Sequence, residues 1–350
     1  MSEQSGKISH EFFKESFLGK CGKKRPEVTA GPQFGVDVSI INLANGQAMA
    51  MASDPLSLIP SLGLSESARL SVNLVANDIA TTGFAPMYGQ IVLNLPAEFS
   101  KKDFQTYWDY FHQYCSKLGI AITGGHTGFI EGQNSTIAGG GTLVTIADQN
   151  QMLTSTLAEP GDAILVTKGC AISSVALLAR SFPETVKNEA GAEHYHKACD
   201  LFYEISVLEE ALLATSLDLE QGVTAMHDVT EGGVLGAIYE LAVASANGAI
   251  VYKDQLPVSE TQSRVCEVFS LDATECIGAG AMIITCKKEA VQKIISKLKE
   301  KDISCTEVGQ ITDQAKGIKL NTAGQASDLI YKEKDPYWEA FFKALNAGWK

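Results

Sequence analysis

Four aspartates stand where the local sequence changes character: Asp37 in an alternating run, Asp54 in Ser53-Asp54-Pro55, Asp78 in Asn77-Asp78-Ile79-Ala80, and Asp228 in His227-Asp228-Val229-Thr230-Glu231-Gly232-Gly233. Carboxylates are hard oxygen donors, and Mg²⁺ is usually held by a few of them together with substrate phosphates. Such donors suit Mg²⁺, but as a group the four become informative only through a family pattern. Each also has a structural use: Asp54 can cap a turn, Asp228 can cap a helix opening at Gly232, and Asp37 can face solvent. Asp78 has the least such excuse, because the helix around it is apolar. Gly124 and Gly125 would let backbone N–H groups approach an anion and Thr127 would add a hydroxyl, although a bare turn between strands needs the same residues. His126 either contacts phosphate or acts as an acid, since imidazole titrates near neutrality, or makes supporting hydrogen bonds. Asn73 and Asn77, one helical turn apart, either orient Asp78 and bind substrate or join neighbouring helices. Lys20, Lys23 and Lys24, on a glycine-punctuated segment, either close over a triphosphate or form a solvated face.

These residues need elements to hold them. Ser9 caps a helix through about Leu18, and residues 19–26 are too glycine-rich and basic for regular structure. Val36, Val38 and Ile40 alternate with polar residues as a half-buried strand does, and Asn45-Gly46 signals a hairpin before Gln47 to Ala52. Asp37 then lies on one arm, with Asp54 just past the other. Ser65-Glu66 opens a helix through about Thr82 that carries Asn73, Asn77 and Asp78. A second amphipathic helix runs from Asp103 to Leu118, ended by Gly119. Strands are expected at Ile91–Leu95, Ile120–Thr123 and Leu143–Ala147, so the first 155 residues read as an α+β domain. After the turn Pro160-Gly161-Asp162, strands at Ala163–Thr167, Val223–His227, Ala249–Tyr252 and Ala281–Cys286 alternate with helical stretches. That pattern makes 156–330 an α/β domain, with 331–350 an aromatic-rich tail helix. The two N-terminal strands present an apolar ribbon that a homodimer would cover.

Length and composition agree with two globular domains, at 350 residues, 45% hydrophobic and 20% charged. The formal net charge of −13 opposes phosphate backbones and anionic lipid, so neither nucleic acid nor a membrane surface is an expected partner. No apolar run approaches membrane-span length and Met1–His10 has no apolar signal core, so the expected location is cytoplasmic. The eight cysteines never fall as C-x-x-C, which removes support for a disulfide framework or a zinc cage. His194 and His196 are too few for a metal site. No P-loop, no dinucleotide-binding glycine motif and no G-x-S-x-G elbow occurs.

The order of motifs carries a resemblance. Gly31-Pro32-Gln33-Phe34-Gly35-Val36-Asp37, Ser53-Asp54-Pro55-Leu56, Asn77-Asp78-Ile79-Ala80-Thr81-Thr82-Gly83-Phe84-Ala85-Pro86, Gly124-Gly125-His126-Thr127, Pro160-Gly161-Asp162 and Asp228-Val229-Thr230-Glu231-Gly232-Gly233 follow one another over roughly residues 20 to 315. This series resembles the aminoimidazole ribonucleotide synthetase (PurM-like) superfamily, which also contains selenophosphate synthetase, thiamine-monophosphate kinase and the hydrogenase-maturation dehydratase HypE. The Ser-Asp-Pro, Asn-Asp-Ile-Ala and D-x-T-x-G-G pieces look most like HypE and its relatives.

The resemblance implies an α+β N-terminal domain that forms a shared barrel with a dimer mate, followed by an α/β C-terminal domain. It implies ATP as cofactor, with Mg²⁺ held by Asp37, Asp54, Asp78 and Asp228. Lys20, Lys23, Gly124, Gly125, Thr127, Thr230 and Gly232 would then serve the nucleotide, and Asp78, Asn77 and His126 the reaction. The expected activity is phosphorylation of an oxygen of a small substrate, with a maturation partner protein in a hydrogenase-like pathway. The rivals are a nucleotide-binding accessory protein without turnover, and a phosphotransferase like thiamine-monophosphate kinase or selenophosphate synthetase. The chain departs from HypE in having its last cysteine at 305, so HypE's carbamoyl-accepting C-terminal cysteine is not matched. Glu231 stands where HypE shows Arg, and His126 where it shows Asp, as in selenophosphate synthetase. Cys21 beside Gly22 is similar to the N-terminal reactive segment of the latter, at a different spacing.

Overall fold

The computed structural model describes residues 6–216 and 222–350, so the first half of the N-terminal stretch read for a signal core lies outside the described residues. The chain forms two compact units. One comprises Pro26–Gly31 and Val38–Met152; the other comprises the described residues of Met1–Arg25, with Pro32–Asp37 and Leu153–Lys350. Chain order begins with α1 (His10–Ser16) of the second unit, started by Ser9, whose side chain accepts from the N–H of Phe12.

The first unit is a six-stranded sheet with two helices. Its elements are β1 (Val28–Ala30), β2 (Ser39–Asn42), β3 (Gln47–Ser57), α2 (Leu64–Ala80), β4 (Tyr88–Pro96), α3 (Lys101–Lys117), β5 (Ala121–Ile130) and β6 (Ile137–Asp148), in sheet order β1-β2-β3-β6-β4-β5. Period-two alternation buries Ala48, Ala50, Ala52 and Leu56 of β3 and Ile91, Leu93 and Leu95 of β4. Against them pack α2 and, through Tyr107, Phe111 and Cys115 at i, i+4 and i+8, α3. Polar groups in this core are matched: Ser71 Oγ accepts from Ser57 N–H at 2.7 Å, and Tyr107 donates to the carbonyl of Ser57 at 3.0 Å.

Three expectations change here. Asp37 is not in a strand, because β2 starts at Ser39, and the preceding residues pack instead in the other unit. Asp54 lies inside β3, opposite Gly141, because this strand runs eleven residues through Pro55. Gly124 to Thr127 form no turn but the middle of β5, which pairs parallel with β4. Gly125 has φ +144° and a Cβ there would stand 1.7 Å from the carbonyl oxygen of Ile91, so the glycine is demanded by the close approach of β4 and β5.

The second unit holds a seven-stranded sheet. It contains β7 (Ala163–Thr167), α4 (Ile172–Ser181), α5 (Pro183–Glu189), α6 (Ala192–Asp200), α7 (Leu208–Thr215), β8 (Val223–Asp228), α8 (Gly233–Ala244), β9 (Gly248–Tyr252), α9 (Glu260–Val268), β10 (Met282–Cys286), α10 (Val291–Lys299), β11 (Cys305–Thr312), β12 (Ile318–Thr322), β13 (Gln325–Asp328) and α11 (Pro336–Asn346). The order is β13-β12-β9-β11-β7-β10-β8, antiparallel except where β12 meets β9. β7 and β10 are buried at every position, as strands covered on both faces are. The tail helix α11 docks on this core, with Tyr337 buried and the Phe341 ring tilted against that of Phe182 at 5.3 Å between centroids. Among the described residues no helix is long and apolar enough to cross a membrane.

Candidate metal and phosphate site

β8 delivers its last two residues, His227 and Asp228, to the turn before α8, in register with Ile283 and Met282 of β10. Both are almost fully buried, at 2% and 3% exposure. Burial of an imidazole and a carboxylate side by side requires partners. His227 has three: Nδ1 lies 2.8 Å from Asp37 Oδ2 and 3.3 Å from Ser155 Oγ, and Nε2 lies 3.0 Å from Glu240 Oε2 on α8. Each ring nitrogen faces a carboxylate, so each donates, and the ring is an imidazolium. Burial alone would lower its pKa, but Asp37 and then Glu240 outweigh that and raise it well above the ordinary histidine value. Glu240 is the complement: burial opposes its charge, yet His227, the ammonium of Lys7 and the hydroxyl of Tyr331, which donates to Oε1 at 2.7 Å, hold it down to about 2.

Asp37 reaches this place because the short run before it lies flat on α8. Gly35 has φ +73°, and a Cβ there would fall 2.3 Å from the carbonyl oxygen of Glu240, so only glycine permits the contact. Phe34 packs edge-on to Tyr331 and Gln33 donates to the carbonyl of Ala244 at 3.2 Å.

The turn itself is held from both chain ends. Lys7 donates its backbone N–H to Glu231 Oε2 at 3.0 Å and its ammonium to Thr230 Oγ1 at 2.9 Å. Trp338 Nε1 donates to the other oxygen of Glu231 at 3.0 Å. Desolvation would lower the Lys7 pKa, but this is an exposed residue, and the carboxylates of Glu240, Glu231, Asp228 and Asp37 raise it. From the start of α11, Asp335 accepts from the N–H of Gly232 at 2.6 Å and from that of Tyr337 at 2.8 Å. Its burial, reinforced by Glu231, lifts the carboxyl to about 6 despite those bonds.

Asp37, His227 and Asp228 each place a potential ligand atom within 4.8 Å of the others, and among the described residues they form the one such group of three. The imidazolium has no lone pair left, so the donor set reduces to the carboxylates of Asp37 and Asp228. Two hard oxygen ligands suit Mg²⁺ and not a nitrogen- or sulfur-seeking metal.

The sequence-derived candidates divide accordingly. Asp37, Asp228 and Thr230 come together; the N–H of Gly232, expected to meet phosphate, is taken by Asp335. Asp54 and Asp78 are half-buried in the other unit, on β3 and near the end of α2, where Asn77 is fully buried and Asn73 donates to the carbonyl of Arg69. His126, Gly124, Gly125 and Thr127 are exposed on β5, and Lys20 and Lys23 are exposed beyond α1. Sequence reasoning passed over Lys7, His227, Glu240, Tyr331 and Asp335. His227 and Glu240 had a signal, a histidine beside the motif aspartate and a glutamate on the buried face of the helix that follows; the two ends of the chain had none.

Two mixed α/β units, one of them carrying a carboxylate pair near a strand-to-helix turn, define the class of a two-domain α/β protein with a candidate site for a hard cation. Residues 35–147 match the family model described as AIR synthase related protein, N-terminal domain, and residues 159–320 that of its C-terminal domain. The chain belongs to the AIR synthase related family. It is 24% identical over 260 residues to a putative hydrogenase expression/formation protein of Methanocaldococcus jannaschii, covering 73% of this chain and 72% of that one. It is 26% identical over 304 residues to a selenide, water dikinase of Methanococcus maripaludis, covering 81% and 86%. The hydrogenase maturation protein HypE in complex with ATP has a similar fold, with a TM-score of 0.69 at 19% identity over 95% of this chain and 97% of that one.

Proposed function

We propose that this protein is an ATP- and Mg²⁺-dependent enzyme of the HypE-like group, phosphorylating an oxygen of a small substrate such as an amide, a carboxylate or a phosphate, in the service of hydrogenase or other metalloenzyme maturation with a partner protein. The observation that carries it is the pair Asp37 and Asp228, gathered in a buried setting where His227 anchors one of them. Bound there, Mg²⁺ would neutralise phosphate charge, which is most of what phosphoryl transfer asks of a protein. The chain's own part is to hold those carboxylates rigid and to present Thr230 and Lys7 beside them. The relatives favour the same chemistry, since one is a dikinase by name and another was solved with ATP.

Thermal melts test it. Asp228→Asn keeps shape and hydrogen-bond capacity but removes a charge from the metal's ligands. The variant should melt within a few degrees of the parent without ligand and lose most of the stabilisation that Mg²⁺ and ATP give jointly. Retention of that stabilisation would leave Asp228 a structural residue. Asp54→Asn and Asp78→Asn, run beside it, test whether those two also carry metal.

A second function, that of a nucleotide-binding accessory without turnover, is favoured by one contact, the Asp335 carboxylate on the N–H of Gly232. ATP hydrolysis measured with and without cell extract separates the two. We further propose a homodimer, through a different edge from the one expected. β3 is paired on both sides, by β2 and β6, whereas β5 is an exposed sheet edge that carries Phe129 and Ile130, with Val92 on its neighbour.

A further inference from the structure

The carboxylates at the turn have a cation already. Asp37, Asp228, Glu231 and Glu240 all act on the ammonium of Lys7, which donates to Thr230 Oγ1, two residues beyond Asp228, while its backbone N–H donates to Glu231. Glu231 is clamped from the other side by Trp338, so the N-terminal segment docks on a fixed acceptor. Resting on the metal-dependent function proposed above, we infer that Lys7 is a resident counter-ion that makes metal loading depend on nucleotide: the cluster disfavours a bare divalent cation and accepts one that arrives with phosphates.

The physical basis is charge. The ammonium of Lys7 lies 2.9 Å from Thr230 Oγ1, two residues beyond Asp228, so a divalent ion entering alone between Asp37 and Asp228 shares the turn with a fixed positive charge. Like charges held at one turn repel, and the burial of Asp228 limits the solvent screening between them. Either the metal binds weakly, or Lys7 leaves and forfeits two hydrogen bonds. A nucleotide reverses the sign, because its phosphates attract ammonium and metal together. Coupling of this kind is reciprocal: whatever Lys7 costs the bare metal, the bare metal costs the docking of Lys7.

Mn²⁺ is the probe, its free and bound fractions read by electron paramagnetic resonance on the full chain, alone and with AMPPCP. Lys7→Met, close in shape and uncharged, should bind Mn²⁺ alone at least about fivefold tighter than the parent and Mn²⁺ with AMPPCP at least about fivefold weaker. Lys7→Arg, which keeps the charge, should stay near the parent in both. In the parent, Mn²⁺ without nucleotide should speed hydrogen exchange at the amide of Lys7. Asp228→Asn is the control. If it weakens Mn²⁺ binding while Lys7→Met matches the parent in both arms, the counter-ion inference is overturned and the metal site stands. If Mn²⁺ binds no variant, or Asp228→Asn binds it like the parent, both are overturned.

Discussion

Replacing His227 by Gln isolates the imidazolium between Asp37 and Glu240. The side chains of these two acids are 10% and 7% exposed, so neither can take up water in place of the lost ring without moving backbone. Breaking a buried pair by removing one partner costs about 3–5 kcal/mol, and the lower end applies because the Gln amide still offers one carboxylate a donor. In a unit of this size 1 kcal/mol moves the midpoint by about 2–4 °C, so the variant should melt about 6–12 °C below the parent. The pH dependence sharpens the expectation. His227 has a folded pKa above its unfolded value of 6.5, so the stability it adds is complete below that pH and is lost as pH rises through the folded value. Glu240 is held down to about 2 from 4.5, so its contribution is complete above the higher figure and lost as pH falls through the lower one. The gap between parent and variant should be widest between pH 4.5 and 6.5 and narrow on either side. Calorimetry in EDTA buffer, from pH 4 to about 9, reads it without metal. A gap under about 2 °C at pH 5–6.5, or one that grows with alkalinity, would show that no charged imidazole bridges these acids.

Asp335, lifted to about 6 from 3.8, contributes stability that is complete below the unfolded value and lost as pH rises through the folded one. Asp335→Asn keeps an acceptor for Gly232 and sheds the charge, so chemical denaturation should show the variant gaining on the parent between pH 4 and about 7; a loss over that range means that ionised Asp335 holds α11 in place. Gly125→Ala should unfold the first unit or cost it more than about 3 kcal/mol by circular dichroism, since the Cβ meets Ile91 backbone, and a well-folded variant that merely binds nucleotide poorly would restore the phosphate role of this glycine. Light scattering should give about twice the 37.4 kDa chain mass, and a charge placed at Phe129 should halve it; a parent monomer at micromolar concentration ends the dimer proposal.

What the sequence disclosed and what it withheld follow from the range of the forces involved. Helices α2 and α3 and the β2–β3 hairpin were legible because apolar period and an Asn-Gly turn are local and mutually consistent, although α2 starts after Gly63 with no side-chain cap, not at Ser65. Asp228 was legible for the same reason, as it terminates a strand within a recognisable motif. Asp37 was misplaced in a strand because Val36, Val38 and Ile40 alternate correctly, while the contact that decides its conformation, Gly35 against the backbone of Glu240, spans some two hundred residues of sequence. Gly124-Gly125 shows a different misplacement: the pair reads as a turn, yet it lies within β5, where Gly125 admits the backbone of Ile91 in the neighbouring strand. Lys20, Lys23 and Lys24 drew notice because they cluster, but a carboxylate site answers to a single charge at the right place. That charge sits on Lys7, ahead of the first helix, where no periodicity marks it, and its value to the site lies in partners more than two hundred residues away.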